Sequence, residues 1–216
     1  MTKQRRRKIA NGLIALLIIA SISIIIIKYF SYQKKGPPQT MNVFLLTEEN
    51  YGEEINQIAS SMNLPASYFK ALIVLESSGR KNVSPRFEPH VYEKLKAVKN
   101  GTLESYEHVT KEDLADATDA ALRNLASSWG PFQLMGYKCM LMEIKIADIR
   151  GTKSVFWGMK WINMTYGDYL REGKFNDAFH IHNTGKPFPR NGKSKTYHPY
   201  YVDHGLQYMK KFEKLP

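Results

Sequence analysis

The longest uninterrupted apolar run comes first. Residues 9–27 are 19 consecutive uncharged positions dominated by leucine and isoleucine. As a helix the run is about 29 Å long, close to the thickness of a bilayer's hydrocarbon core. After it the pattern becomes periodic. Residues 42–46 read as a strand or an extended lead-in. Thr47 reads as the N-cap of a helix that lines up Ile55, Ile58, Ala59 and Met62. Residues 64–78 predict a short buried helix. Pro65 suits its first position, Phe69, Leu72, Ile73 and Glu76 recur at spacings of three and four, and Gly79 stops it. A short helix with Val91, Tyr92 and Leu95 follows. Another runs from residue 110 to about 126, opened by Glu112 and Asp113, whose charges suit the helix dipole. Ser127, Ser128, Trp129 and Gly130 break it. Residues 132–146 are very apolar and read as helical, as do 153–170, 175–182 and 200–211. The last of these turns Tyr201, Val202, Leu206 and Met209 inward. Strand-like alternation never exceeds five residues, so the expected fold class is mainly α with at most a very small β element.

Charge changes this picture at the N-terminus. The chain carries a formal net charge of +11, but residues 1–42 hold eight of its basic residues and no acid. The body is therefore only mildly cationic. That is no argument for a nucleic-acid partner, and it is compatible with an anionic polymer. Five basic residues precede the apolar run, three of them consecutive arginines. The positive-inside rule then puts residues 1–8 in the cytoplasm and the body outside. The run ends in four isoleucines and Lys28, a poor exit for a cleaved signal peptide. Residues 9–30 are expected to be a single-pass transmembrane helix held by the lipid bilayer. Residues 31–42, with Lys34, Lys35, Gly36, Pro37 and Pro38, form a short linker, and residues 43–216 form the domain it tethers. The lone cysteine, Cys139, allows no internal disulfide. Met135, Met140, Met142 and Met159 read as core filling.

Glu76 is the polar exception on an apolar helix face. Burial disfavours the charged carboxylate and raises its pKa, and a carboxyl that keeps its proton near neutral pH can serve as a general acid. The plainer alternative is an ion pair with Arg80 or Arg86. Histidines at 180, 182, 198 and 204 invite a metal reading. Residues two apart on a helix point to different sides, however, and no His-Glu-x-x-His is present, so neither a metal nor a cofactor is expected.

Four blocks occur in order: Glu76-Ser77-Ser78-Gly79; Ser128-Trp129-Gly130-Pro131-Phe132-Gln133-Leu134-Met135-Gly136; His182-Asn183-Thr184-Gly185; and Tyr201-Val202. The set resembles the lysozyme-like superfamily, in particular goose-type and soluble-lytic-transglycosylase (SLT) helical domains, across roughly residues 60–212. Arg86-Phe87-Glu88-Pro89-His90 together with the Ser-Trp-Gly-x-Phe-Gln block also resembles the N-acetylmuramidase domains of phage-type endolysins. The resemblance implies that Glu76 is the catalytic acid. It implies peptidoglycan glycan strands as substrate, cut at the β-1,4 bond between N-acetylmuramic acid and N-acetylglucosamine. It also implies that Ser77, Phe132, Gln133 and His182 face the sugars, that Asn183 braces the cleft floor near Glu76, and that Tyr201 bonds Glu76 or the sugar. His182 departs from the tyrosine usual in the family, and Pro131 and Phe132 replace its usual residues in the glutamine block.

Glu88 separates two chemistries. As a second, water-positioning carboxylate it makes the protein a muramidase hydrolase. As an ion-pair partner of Arg86 or Arg80, or a cap on the helix at Pro89, it leaves Glu76 to act alone, as in a lytic transglycosylase. A third reading is a wall-binding scaffold without activity. The tether itself suggests an envelope-spanning assembly as partner, with cutting confined near the membrane.

Overall fold

The computed structural model describes residues 42–215. The tail, span and nearly all of the linker expected over residues 1–42 lie outside them. No helix among the described residues is long and apolar enough to cross a membrane. The described chain is mainly helical, with five very short strands.

The first helical run is continuous where the sequence suggests a strand and then a cap. Helix α1 (Val43–Thr47) passes into a π-helical turn (Glu48–Gly52) and on into α2 (Glu53–Met62). Thr47 is not an N-cap. It sits inside the helix and its hydroxyl donates back to the Val43 carbonyl. The wider π turn carries two grips on the segment after Glu76: Asn50 Nδ2 donates to the Gly79 carbonyl and Tyr51 Oη to the Arg80 carbonyl.

Helix α3 (Ala66–Ser77) is the centre of the larger apolar cluster. Pro65 stands one residue earlier than expected, as its extended N-cap. Burial is not confined to one stripe. Tyr68, Phe69, Ala71, Leu72 and Ile73 are all fully buried, and Lys70 is buried against Glu48, with Nζ–Oε1 at 2.7 Å. Each large apolar side chain so enclosed contributes about 1.5–3 kcal/mol. The helix ends in two left-handed residues, Ser78 (φ 54) and Gly79 (φ 72). A Cβ at Gly79 would stand 2.5 Å from Thr47 Oγ1 and 2.9 Å from the Val43 carbonyl, so α1 can cross the end of α3 only over a glycine.

Beyond α3 the chain enters β1 (Arg86–Phe87), α4 (Pro89–Lys99) and the hairpin β2 (Ser105–Tyr106) with β3 (Val109–Thr110). The helix expected over 110–126 divides. A 3-10 turn (Glu112–Leu114) comes first, and α5 (Asp119–Leu125) starts afresh at Thr118, whose Oγ1 accepts from Ala121 N. Strands β4 (Ser127–Trp129) and β5 (Leu134–Met135) join β1 in an antiparallel sheet of order β1-β4-β5, with Arg86 opposite Ser128.

The stretch read as a helix over 132–146 is instead β5, the four-residue α6 (Lys138–Leu141) and turns with left-handed Gln133 and Glu143. Its apolar density has another cause. Phe132, Leu134 and Cys139 enter the larger cluster, while Tyr137 enters a second, smaller one built on Val91, Leu95, Val109 and Leu122. From residue 132 to 140 no side chain is exposed, and a stretch buried on both sides carries no solvent stripe to reveal its period.

Helices α7 (Ile146–Arg150), α8 (Ser154–Arg171), α9 (Phe175–Thr184) and α10 (Tyr201–Phe212) complete the unit. The last three lie close to their expected ranges. Helix α8 kinks at Tyr166 (φ −147, ψ 24). Helix α10 packs extensively on α3, and Gly205 admits the Phe179 ring where α10 meets α9.

Candidate active site

Glu76 lies on the last turn of α3, at the rim of the larger cluster. Its side chain is 17 % exposed, so it faces neither bulk solvent nor a sealed core. Tyr201, first residue of α10, donates its hydroxyl to Glu76 Oε1 across 125 positions of chain. His182 from α9 stands on the same oxygen, Nε2 to Oε1 being 3.8 Å, too long for a hydrogen bond. No protein hydrogen bond reaches Oε2 among the described residues, so that oxygen is left to hold a proton.

Burial pushes the Glu76 carboxyl up to about 7, while the Tyr201 hydroxyl and then the Arg86 guanidinium pull it part of the way back. Tyr201 itself is driven well above its ordinary value, first by burial and then by the carboxylate it faces, so it stays a donor. Tyr201→Phe is expected to move the Glu76 titration upward, read by NMR on glutamate-labelled protein. An unmoved or lowered titration would mean that the hydroxyl does not stabilise the carboxylate.

His182 is set by its two ring bonds. Nε2 faces the Phe132 carbonyl at 3.1 Å, which only accepts, so Nε2 carries the hydrogen. Nδ1 is then bare and accepts from the Tyr166 hydroxyl at 2.8 Å, and Tyr166 in turn accepts from Tyr68. Burial, then the Lys138 ammonium, pushes the imidazole down to about 3, so it is neutral through the physiological range. Lys138 sits 3.8 Å above the Trp161 ring, and Trp161 packs edge-on to His182. The ammonium is itself lowered to about 8, mainly by burial. Glu76 therefore stands beside a neutral imidazole and a neutral phenol, with the Arg86 charge further out.

Glu88 pairs with its own neighbours. Its Oε1 accepts from Arg86 Nε at 2.7 Å and its Oε2 lies 3.7 Å from His90 Nδ1, the ion-pair arrangement. Arg86 thus acts on both carboxylates, bonding one and biasing the other.

The other expected contact residues have partners within the protein. Ser77 is buried and donates to the Ile73 carbonyl, as helical serines do when no solvent is near. The Phe132 ring lies in the core against Phe69, in the space Gly158 leaves, and only its carbonyl serves the site. Gln133 has both ends of its amide engaged, Oε1 by Ser128 and Nε2 by the Gly130 carbonyl. Asn183 is exposed and its Oδ1 accepts from Tyr197 N, bracing a loop rather than a cleft floor. The histidines at 180 and 182 diverge, the first toward that loop and the second toward Glu76.

Tyr166, Tyr68, Trp161 and Lys138 belong to the site without having stood out in sequence. Tyr166 stands at the kink of α8, and its hydroxyl reaches His182. A cavity of about 290 Å³ borders Tyr201 and is lined by Val74, Leu75, His198, His204 and Tyr208. A larger one of about 440 Å³, between Tyr51, Lys81 and Arg150, does not include Glu76. The chain matches no protein-family model, no curated protein and no solved structure.

Proposed function

We propose that this chain is a membrane-tethered, lysozyme-like lytic transglycosylase that cuts peptidoglycan glycan strands between N-acetylmuramic acid and N-acetylglucosamine, with Glu76 as its acid and base. The supporting observation is a mostly buried carboxyl whose enclosure pushes its pKa up to about 7, with Tyr201 on one oxygen and no protein hydrogen bond on the other among the described residues. A buried central helix ending in that carboxyl, with a small three-stranded sheet following, agrees with the lysozyme-like reading.

Protonated Glu76 gives its proton to the glycosidic oxygen as the bond to the muramic acid C1 breaks, through an oxocarbenium-like state. The acetamido group of the sugar stabilises the cation. The carboxylate left behind takes the proton of the C6 hydroxyl as O6 bonds to C1. The product is a 1,6-anhydro end, and Glu76 is returned protonated. One carboxyl suffices for both halves, and a pKa near 7 suits a group that must give and recover a proton. The neutral phenol and imidazole beside it leave Glu76 as the proton carrier.

Digestion of purified peptidoglycan with mass analysis of the fragments tests this. Anhydro ends are expected. Ends heavier by one water identify a hydrolase, and no released fragments identify a wall-binding scaffold. Because Glu88 is committed to Arg86 and His90, Glu88→Gln is expected to retain activity within about threefold, as for loss of a partly exposed ion pair. Its loss frees Arg86, so the activity should fall off at slightly lower pH than in the parent. A loss as deep as that of Glu76→Gln would make Glu88 the second carboxylate of a hydrolase.

A further inference from the structure

His182 and Tyr201 both stand on Glu76 Oε1, and between them the chain makes a single long excursion, residues 185–200. The loop leaves α9 three residues after His182 and re-enters α10 at Tyr201, so both of its ends lie beside the acid. It carries Lys186, Arg190, Lys193 and Lys195 and no acidic residue. All four side chains are exposed, and none is paired with a carboxylate among the described residues. Tyr197 is 95 % and Tyr200 60 % exposed. The nearest acids on the flanking helices are Asp177, which accepts from the loop's Phe188 N, and exposed Asp203.

The loop backbone is held from beneath. His180, 1 % exposed, joins its two ends: Nδ1 donates to the Lys186 carbonyl at 2.6 Å and Nε2 accepts from Lys195 N at 3.1 Å. Asn183 holds Tyr197 N, and Thr196 donates to the His198 carbonyl. The main chain is fixed while the cationic and aromatic tips are left in water. Such an arrangement binds without first having to order itself. Solvent-exposed like charges held together on one rim favour a polyanion.

We propose that residues 185–200 form a binding subsite for the carboxylate-bearing peptide branches of the glycan that Glu76 cuts. Lys186, Arg190, Lys193 and Lys195 take the carboxylates, and Tyr197 and Tyr200 lie against the adjoining sugar or peptide faces. This rests on the function proposed above. It adds a specificity, which is that branched glycan is preferred to bare glycan.

The test uses the full chain in detergent, carrying Glu76→Gln so that the polymer survives. Its binding to intact peptidoglycan is compared with binding to the same polymer stripped of peptides by an amidase. At low salt the intact polymer is expected to bind at least about tenfold more tightly, and the gap should close at high salt. Replacing Lys186, Arg190, Lys193 and Lys195 with glutamine is expected to abolish the preference. Replacing Lys94, Lys111, Lys153 and Lys210, which are exposed on other elements, should keep it. Equal binding of the two polymers overturns the subsite, and so does equal damage by both sets of substitutions. The polymer comparison stands on the unsubstituted loop, so a loop variant that fails to fold does not remove the test. Fragment release by the chain with Glu76 intact is scored separately. Its absence refutes cutting while leaving the branch preference to be read by itself.

Discussion

Glu76→Gln is expected to lower glycan cleavage by about a thousandfold, the loss that follows removal of a positioned acid. It should at the same time stabilise the fold at alkaline pH. The carboxyl titrates near 4.5 when unfolded and near 7 in the fold. Below pH 4.5 both states are protonated and the group adds nothing. Between 4.5 and 7 the unfolded chain has released the proton and the folded chain has kept it. The fold then binds more protons than the unfolded state, and stability falls as pH rises. Above 7 the full penalty stands, about 3 kcal/mol for a shift of this size. Glutamine carries no such penalty and still accepts from Tyr201. The melting temperatures of parent and variant should therefore coincide near pH 4 and separate by roughly 6–12 °C at pH 8 in favour of glutamine. Thermal unfolding followed by circular dichroism at the two pH values measures this. A gap that stays constant with pH would mean that the carboxyl is not held protonated by burial.

Gly130→Ala should be the most damaging of the small changes to the fold. Gly130 begins the turn between β4 and β5 at φ 71, and its carbonyl receives both the main-chain and side-chain nitrogens of Gln133. A Cβ there would meet the Ile149 carbonyl of α7 at 2.1 Å, backbone against backbone, with no side chain able to turn away. The left-handed conformation alone costs about 1–2 kcal/mol for alanine. Moving α7 off the turn adds about 1–3 kcal/mol. Gly173→Ala, between α8 and α9, is the control, because its φ is 69 but nothing lies within 4 Å of the added carbon. The Gly130 variant is expected to melt roughly 5–15 °C below the parent and the Gly173 variant only a few degrees below. Activity should fall with the first alone, since the same turn presents the Phe132 carbonyl that holds His182. Equal losses from the two variants would show that the close approach of α7 is not a constraint.

The helix of Glu76 could be read from spacing alone. A stretch of twelve residues with apolar positions three and four apart has one regular conformation that buries them together, and a glycine after it marks the end. The closing helix and the inward turn of Tyr201 were legible for the same reason. Local periodicity misled where a segment serves two cores. Residues 132–140 divide their side chains between the larger and smaller clusters, which imitates the density of a helix without its period. At Ser77 and Gln133 motif position does not reveal the internal partners. A polar side chain beside a site can satisfy itself on its own backbone or a near neighbour, and only the surrounding packing says that it does.

That position 76 carries an ionisable group on an apolar face follows from the order of residues, because helical geometry is local. That this group keeps its proton near pH 7 does not. The value comes from the walls that enclose it, from a phenol 125 residues away and from a neutral imidazole tuned by Lys138 and aligned by Tyr166. Desolvation and charge act through space, and the distances they act over are set by how the helices pack.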